Sequence, residues 1–548
     1  MASVNPRDSA VHFPPDRRLH LWIRPSLWLG VAALALLPFL VAWGQTLLFG
    51  LPPVRDAGPI HPAAAGFPAW LRITHYVNFL FLTLLIRSGL SILADHPRLY
   101  RRRDCTPGTE WARFTPLAVP TDRLWTAKDD ARYLPPLLGL PGYRHTIGLA
   151  RHWHSLSVLF WVVNGVIYVV LLLVLGHWVR LVPTSWAVLP SAWAVFVHYA
   201  TLHLPPEPNG FVAYQSLQQL AYFVVVFVLA PLTLLTGLAM SPALDNHARW
   251  FPRLFGGRQG ARSLHFLLMV AFSAFLVIHV ALVVRTGFVR NMNHIVLGTD
   301  TSSPAGWLLG LTGTVAVIGA AHWVSWHRPR ALQLAAAKTV GTLSLRTLDR
   351  FEPRAEYTRS DISPHFWPNG KLPTSQEWQG LADADFRDFR LRVSGLVDRP
   401  VELSLDEIIT LGKQDQITLH HCIQGWSGVA EWGGLPLTTL IELVQPRPEA
   451  RVMVFHSFGE GLYGGEYYET LSLENARHPQ SLLAYEMNGG PLETIYGAPL
   501  RLRVENQLGY KMVKWIRSIE FVASETQVGK GFGGKNEDDE YFDLLANI

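Results

Sequence analysis

Two histidines lie in one apolar stretch of the chain, residues 262–285. His265 and His279 are fourteen residues apart. Fourteen residues are close to four turns of an α-helix, so both rings leave the same face, separated by roughly 21 Å along the axis. The stretch is long and apolar enough to cross a bilayer. One histidine therefore lies near each membrane surface, where an imidazole is costly and usually functional.

A histidine inside a membrane could simply hydrogen-bond a neighbouring helix. Two histidines at this separation instead suit two stacked haems, each of which needs a second axial ligand from another helix. The pattern Arg-x-x-His recurs at three predicted helix starts. These are Arg72 to His75, Arg151 to His154, and Arg262 to His265. A histidine can bind iron while an arginine one turn outward pairs with a haem propionate, and we predict these roles here.

The elements that position these residues are six predicted membrane spans. They are residues 27–49, 76–94, 155–177, 217–240, 263–284 and 306–326, to within a few residues. The run 186–204 is short and contains Pro190, and we interpret it as an interfacial helix. Both termini then lie on one side, where the loops carry 18 Lys and Arg against 5 on the other. The positive-inside rule places that side in the cytoplasm.

This topology pairs the histidines across helices. On the outer side, His75 begins the second span and His279 ends the fifth. On the cytoplasmic side, His154 begins the third span and His265 begins the fifth. We predict one haem between the members of each pair. His152 could replace His154, and the partners would exchange if the interfacial run crossed the membrane.

Composition divides the 548 residues into two halves. Long apolar runs fill the chain to about residue 326, and an ordinary soluble composition follows. We predict a cytoplasmic N-terminal segment, a helical transmembrane bundle with a four-helix haem core, a linker, a strand-rich α+β domain and a solvated acidic tail. Their boundaries are 1–26, 27–326, 327–364, 365–525 and 526–548. The net charge of +5 comes from arginines in membrane-flanking loops, so it indicates topology rather than nucleic-acid binding.

Only two cysteines occur, Cys105 and Cys422, which excludes a disulfide framework. Cys422 is the last residue of a predicted strand, Ile417–Cys422, and precedes a turn containing glycine. His420 and His421 adjoin it and could lower the pKa of its thiol. From the residues alone, a catalytic nucleophile, a metal ligand and an inert core cysteine all remain open.

The region from about 70 to 300 resembles the bacterial di-haem b-type cytochromes that anchor hydrogenases, formate dehydrogenases and thiosulfate reductases. The resemblance rests on the four paired histidines and their fourteen-residue spacing on one helix. It implies two b-type haems and a quinone or quinol partner in the lipid bilayer. The extra span at 27–49 departs from that family.

Residues 365–525 resemble the sulfite-oxidase superfamily of molybdenum enzymes. The motifs are His421-Cys422-Ile-Gln-Gly-Trp426-Ser, Trp432-Gly-Gly-Leu-Pro, Tyr496-Gly497-Ala-Pro-Leu-Arg501 and Gly509-Tyr-Lys511-Met-Val-Lys514. The resemblance implies that Cys422 is a thiolate ligand of molybdenum held by molybdopterin. It also implies that the pterin and its phosphate contact residues in these motifs and at two positions matched less closely. Those residues are Gly497, Arg501, Gly509, Lys511 and Lys514, with Asn369 and Ser457 matched by position and composition.

Sulfite oxidases carry arginines near the cysteine, whereas His420, His421 and Trp426 stand there in this chain. This departure weakens sulfite as a substrate and leaves sulfoxide or N-oxide reduction open, and also an unidentified oxidation. We therefore predict a membrane-bound molybdenum oxidoreductase, with these three residues in the substrate pocket, exchanging electrons between a small molecule and quinone through two haems. The alternative is a quinone-linked cytochrome whose soluble domain only binds a ligand or partner. A proton-relay transporter is disfavoured, and homodimerisation is left open.

Overall fold

The computed structural model describes residues 21–54, 66–115, 118–120, 123–142, 146–205, 210–344 and 356–548. A helical body is followed by a strand-rich body. Within these ranges, six helices are long and apolar enough to cross a membrane, as predicted. They are α1 (Pro25–Phe49), α2 (Ala69–Asp95), α3 (Ile147–Val174), α4 (Ser216–Ala239), α5 (Gly257–Arg285) and α6 (Ala305–His327). Residues 1–20 of the predicted N-terminal segment lie outside the described residues.

Helices α2 to α5 form the core of the membrane body, because α2 packs along α3 and α4 packs along α5. The run predicted to be interfacial forms the helix Val188–Ala200. Its 13 residues are too few for a span, which needs about 20 residues. This helix packs against α1 and the first half of α4. The topology therefore has six spans, with the start of α3 and the start of α5 on the same side.

The long connection between α2 and α3 is folded over that side of the bundle. Its strands β2 (Arg98–Tyr100) and β3 (Glu110–Arg113) form a small sheet with β1 (Trp22–Ile23). The buried Arg98 guanidinium donates to Glu110 at 2.8 Å and to Asp130 at 2.7 Å. A buried cation is tolerated when carboxylates pair with it, so these ion pairs fix the connection in place.

The soluble domain contains two five-stranded sheets. Its strands are β4 (Arg390–Gly395), β5 (Val401–Ser404), β6 (Gln414–His421), β7 (Ser427–Pro436), β8 (Val452–Glu460), β9 (Glu466–Ser472), β10 (Ser481–Met487), β11 (Gly490–Pro491), β12 (Arg501–Val504) and β13 (Ile516–Val522). One sheet has the order β11-β10-β7-β6, with β12 also paired to β10, and the other has the order β5-β4-β13-β8-β9. Ile519 of β13 lies between Val393 and Phe455, and all three side chains are fully buried. Their burial forms part of the hydrophobic core that stabilises the domain.

Short helices complete the soluble domain and connect it to the bundle. They are Pro329–Ala336, Gln376–Asp383, Leu405–Thr410, Leu437–Val444, Leu473–Ala476 and Lys535–Asp539. The first of them lies within the predicted linker and packs against α3 and α6. The described part of the linker is therefore largely helical and forms part of the membrane body.

The acidic C-terminal tail is not solvated, so this expectation was wrong. Glu537 and Asp538 are each 1% exposed, and Phe542 and Ile548 are also buried. The Glu537 carboxylate pairs with Lys511, and the Asp538 carboxylate accepts a hydrogen bond from Tyr468 at 2.5 Å. These partners come from distant parts of the chain, and they offset the cost of burying two acids.

Hydrogen bonds join the soluble domain to the face of the bundle where α2 ends and α5 begins. Gln424 Nε2 donates to the Asp95 carbonyl at 3.2 Å, and Gln259 Nε2 donates to the Gly425 carbonyl at 3.0 Å. Trp367 Nε1 donates to the Cys105 carbonyl at 2.8 Å. The turn after Cys422 therefore rests directly on the first turns of α5.

Candidate functional site

His154 of α3 and His265 of α5 face each other inside the bundle, with ring centroids 6.3 Å apart. The Nδ1 atom of His265 lies 3.1 Å from the Thr233 carbonyl and 3.0 Å from the Thr236 hydroxyl. Because a carbonyl only accepts, His265 Nδ1 carries the proton and Nε2 is left as the ligand atom. His154 Nδ1 lies 3.1 Å from the Ser88 hydroxyl.

A glycine follows each of these two hydroxyl residues. A Cβ at Gly89 would lie 3.5 Å from His154 Cε1, and a Cβ at Gly237 would lie 3.4 Å from His265 Cε1. Ser88-Gly89 and Thr236-Gly237 therefore provide the same arrangement, in which a hydroxyl contacts one edge of the imidazole and the glycine leaves room beside it. Neither dipeptide was predicted from the sequence to contact a histidine. The recurrence of a hydroxyl residue followed by glycine in α2 and α4 was the signal that could have indicated it.

His75 of α2 and His279 of α5 face each other at the opposite end of the bundle, with ring centroids 6.4 Å apart. Aromatic side chains surround this second pair. Phe275 stacks on His279 at 5.6 Å, and Tyr222 contacts the same ring edge-on at 6.1 Å. The structure thus brings together the two pairs that the topology predicts.

The spacing within each pair fits one metal atom between two imidazoles. With metal–nitrogen bonds of about 2 Å, as for imidazole on zinc, opposing rings have centroids roughly 6 Å apart. Among the described residues, no group of three or more His, Cys, Asp or Glu side chains is placed to hold a metal ion. A metal at either pair would therefore take its other ligands from a macrocycle, as haem iron does.

His152 faces away from these pairs. Its Nε2 atom lies 2.9 Å from the Tyr541 carbonyl, and Nδ1 lies 3.6 Å from Asp543. The structure thus distinguishes His152 from His154, which is the member that faces His265. His152 contacts the C-terminal tail.

The three arginines of the Arg-x-x-His pattern have protein partners. Arg72 donates to the Val296 carbonyl at 2.7 Å, and Arg151 pairs with Asp543 at 2.9 Å. Arg262 donates to the His96 and Arg98 carbonyls. Their predicted contacts with haem propionates stay predictions. Arg87, inside α2, lies 3.1 Å from His322 and also contacts the Pro136 carbonyl.

Cys422 lines a cavity of about 190 Å³ between the soluble domain and the bundle. The thiol follows β6 and is 4% exposed. Burial raises its pKa to about 12. Asn369 Nδ2 lies 3.9 Å from Cys422 Sγ, so it can donate to a thiolate there. Metal binding at Cys422 would release this proton, because the thiolate is the ligand form.

Arg501 and Lys514 are two of the four Lys and Arg side chains that line the same cavity as Cys422. Burial, together with Arg503, lowers the pKa of Arg501 to about 9. Burial and the nearby Arg501 also hold the pKa of Lys514 well below its usual range. Neither cation has an ion pair with a carboxylate among the described residues, and Arg501 Nε is buried without a hydrogen-bond partner. Unpaired positive charge of this kind is suited to an anionic ligand.

The remaining predicted cofactor residues divide into two groups. Asn369, Ser457 and Gly509 line the cavity. Gly497 lies behind it at φ +126°, where a Cβ would lie 3.1 Å from both Arg501 and Lys514. Lys511 is outside the lining and pairs with the buried Glu469 and Glu537 carboxylates. Its charge is therefore already neutralised, which sequence alone did not reveal.

The predicted substrate residues also separate. His420 and Trp426 line the cavity, with ring centroids 5.2 Å apart. Arg503 Nη1 donates to His420 Nδ1 at 3.1 Å, so the neutral ring carries its proton on Nε2. Burial and Arg503 lower the pKa of His420 well below its usual range, which favours that neutral form.

His421 does not line the cavity. Its Nδ1 lies 3.5 Å from Arg258, and its Nε2 lies 3.2 Å from the Asn246 side-chain oxygen. Both partners belong to the membrane body. His421 therefore contacts the interface between the domains, and its predicted role in the substrate pocket has no support in this geometry.

Each half of the chain matches a model of a known protein family. Residues 66–297 match the family model described as prokaryotic cytochrome b561. Residues 379–529 match the model described as oxidoreductase molybdopterin binding domain. Each half of the chain is therefore similar to one of these families, and both resemblances drawn from the sequence are confirmed.

Relatives support the same assignment for parts of the chain. YedZ1 of Azospira oryzae is 36% identical over 139 residues, which cover 25% of this chain and 51% of that protein. The protein-methionine-sulfoxide reductase catalytic subunit MsrP of Xanthomonas axonopodis pv. citri is 28% identical over 225 residues, covering 39% of this chain and 68% of that protein. The sulfane dehydrogenase SoxCD of Paracoccus pantotrophus aligns at a TM-score of 0.23 with 21% identity, covering 25% of this chain and 39% of that one, and supports no conclusion here.

Proposed function

We propose that this protein is a membrane-bound molybdenum oxidoreductase that transfers electrons between quinol and a small sulfur or nitrogen oxide through two b haems. The observation that carries the proposal is the cavity in which Cys422 lies with the unpaired cations Arg501 and Lys514. The turn that follows Cys422 is hydrogen-bonded to α5, the helix that bears His265 and His279. One chain thus combines a candidate molybdenum site with candidate haem ligands.

The residues present fit molybdopterin. Cys422 would supply a thiolate to molybdenum, which otherwise takes the dithiolene sulfurs of the pterin. Arg501 and Lys514 would hold the anionic phosphate, because each gains the counter-charge that the protein does not provide. Asn369 would donate to the ligand sulfur. When bound, the cofactor supplies two-electron oxygen-atom chemistry, while the protein binds and orients it.

The chain's residues also prepare the site for an oxide substrate. Arg503 is held by Glu505 through bonds of 2.9 and 2.8 Å and fixes the His420 tautomer. Trp426 packs beside His420 and reduces access of water. The Nε2–H group of His420 would therefore donate a hydrogen bond to a substrate oxygen in this cavity.

For the haems, we propose His154 and His265 as the axial pair nearest the soluble domain and His75 and His279 as the distal pair. The soluble domain lies on the side of the arginine-rich loops. We propose that this side is the cytoplasm, because those loops carry most of the flanking positive charge. The distal pair would then exchange electrons with quinone from the other half of the bilayer.

The deciding experiment is metal analysis of detergent-purified protein from cells that make molybdopterin. We expect two irons and one molybdenum per chain. Cys422→Ser should lose turnover and keep the haem spectrum, whereas Cys105→Ser, which removes the other buried cysteine, should keep both. Two irons without molybdenum would favour the binding-only alternative, and an active Cys422→Ser protein with molybdenum in place would exclude the proposed ligand.

A further inference from the structure

The cavity around Cys422 is closed partly by segments outside the two sheets. The membrane body contributes Asp95, Ala131, Thr146 and Ile147 to its wall, and the C-terminal tail contributes Glu540 and Phe542. None of these six residues is more than 8% exposed. The membrane body and the tail therefore cover one side of the cavity with mostly buried residues.

The exposed part of the lining comes from the soluble domain alone. Lys371, Glu460 and Leu462 line the cavity and reach solvent, with Leu462 44% exposed. The lining residues of the membrane body are all buried or partly buried. A substrate would therefore enter past these three side chains, on the side that the membrane body and the tail leave uncovered.

Specific contacts hold the shielding segments in place. Asp543 of the tail pairs with Arg151 at the start of α3, and the Tyr541 carbonyl lies 2.9 Å from His152. Arg330 donates to the Glu537 and Asp538 carbonyls at 2.7 Å each. Together these hydrogen bonds and this ion pair hold the tail against the bundle.

We propose that the substrate of this chain is a small free sulfoxide or N-oxide, and that a methionine sulfoxide within a folded protein is excluded. This inference rests on the proposed function. A side chain of a folded protein reaches only a short distance beyond that protein's surface. To bring a methionine sulfoxide to Cys422, the surface of the substrate protein would have to occupy space that the membrane body and the tail already fill. Reduction breaks the S–O or N–O bond, consumes two electrons from quinol and two protons, and releases water.

The test compares substrates on the purified, cofactor-loaded full chain with a reduced quinol analogue. We expect turnover of dimethyl sulfoxide, trimethylamine N-oxide or free methionine sulfoxide. Oxidised calmodulin should react roughly 100-fold more slowly or worse, because only the rare opened form could admit it. Comparable rates for calmodulin would overturn the inference while leaving the proposed function standing, whereas no turnover of any oxide would overturn both.

A matched pair of variants tests the cause of the exclusion. Asp543→Ala removes the ion pair between tail and bundle, and it should raise the calmodulin rate relative to the free sulfoxide. Asp398→Ala removes an exposed ion pair with Arg447 elsewhere in the domain and should leave that ratio unchanged. Limited proteolysis would show whether Asp543→Ala releases the tail from the bundle. If the tail is released and the ratio of calmodulin rate to free sulfoxide rate is unchanged, the role of the tail is contradicted.

A second readout does not depend on turnover or on removal of the tail contacts. Full chain carrying Cys105→Ser, made in cells that lack the cofactor, leaves Cys422 as the single thiol. A small methanethiosulfonate should label it, whereas a polyethylene-glycol maleimide should not until the chain is denatured. Equal labelling by both reagents in the folded protein would overturn the inference.

Discussion

At the residue scale, the candidate haem ligands are oriented by hydroxyl groups from neighbouring helices. Ser88 lies against His154 and Thr236 lies against His265, each at the Nδ1 atom. Such partners fix which ring nitrogen faces the metal. The orientation of the inner pair, which is His154 and His265 near the soluble domain, therefore depends on residues that bind no metal themselves.

We expect Ser88→Ala to weaken haem binding at the inner pair by about 10- to 100-fold, because loss of the partner frees the His154 ring. The measurement is haem content and the reduced-minus-oxidised spectrum after purification. Thr83→Val is the control, since Thr83 lies on the same helix and donates only to the Phe79 carbonyl. Equal haem loss in the two variants would point to a general effect on α2.

The burial of Lys514 predicts that the folding stability of the cofactor-free chain depends on pH. Its pKa is lowered in the folded, cofactor-free chain, so the unfolded chain binds more protons in the window between the two pKa values. Stability from this group therefore rises with pH toward the usual lysine pKa. Lys514→Met should be more stable than wild type at pH 7, and the difference in Tm should shrink by pH 10. With the cofactor bound, wild type should instead have the higher Tm at pH 7, because the anion pairs with Lys514. The absence of this reversal would argue against an anion at Lys514.

At the element scale, the sequence predicted the spans better than the sheets. An apolar run of about 20 residues has few alternatives to a membrane helix, so all six were predictable. Strand β7 was missed because Ser427–Pro436 contains three glycines and a proline, which locally favour turns. It forms because β6 and β10 pair with it on both sides.

The candidate site also has parts that the sequence predicts and parts that it does not. Helix period and topology were enough to predict which histidines face each other, whereas haem binding by these pairs and molybdenum binding by Cys422 stay predictions. The burial of Lys511 between Glu469 and Glu537 could not be predicted, because Glu537 reaches it from the far end of the chain. Sequence patterns report local preference and periodicity, whereas such contacts are set by tertiary packing.

One glycine tests the packing of the tail on the bundle. A Cβ at Gly148, near the start of α3, would clash with the Tyr541 carbonyl. We expect Gly148→Ala to displace the tail and increase its cleavage in limited proteolysis. Gly165→Ala on the same helix has open space around it and should leave the cleavage pattern unchanged. Equal protection of the tail in both variants would mean that the tail tolerates a shift at this contact.

At the scale of the whole molecule, six spans place the start of α1 and the soluble domain on one face of the membrane. Arg24 donates to the Glu110 carbonyl at that face, close to the strands folded over the bundle. The face carries the inner histidine pair and the Cys422 cavity. Membrane orientation therefore determines the compartment in which the substrate is met.

Because the arginine-rich loops favour the cytoplasm, a reporter that works only in the periplasm should be inactive when fused after Ile548. A cytoplasmic reporter at the same position should be active. A fusion within the 178–187 segment, on the opposite face, provides the reciprocal control. Periplasmic activity at Ile548 would place the soluble domain outside the cytoplasm and reverse the proposed orientation.

The contact between the turn after Cys422 and α5 has a kinetic consequence. Two separate proteins that exchange electrons must first meet by diffusion. Here the two halves are covalently joined and packed together, so their encounter is replaced by a fixed, high effective concentration. Exchange between them is then a first-order event. It should not vary with dilution, and it should respond to ionic strength far less than a charge-steered association between separate proteins would.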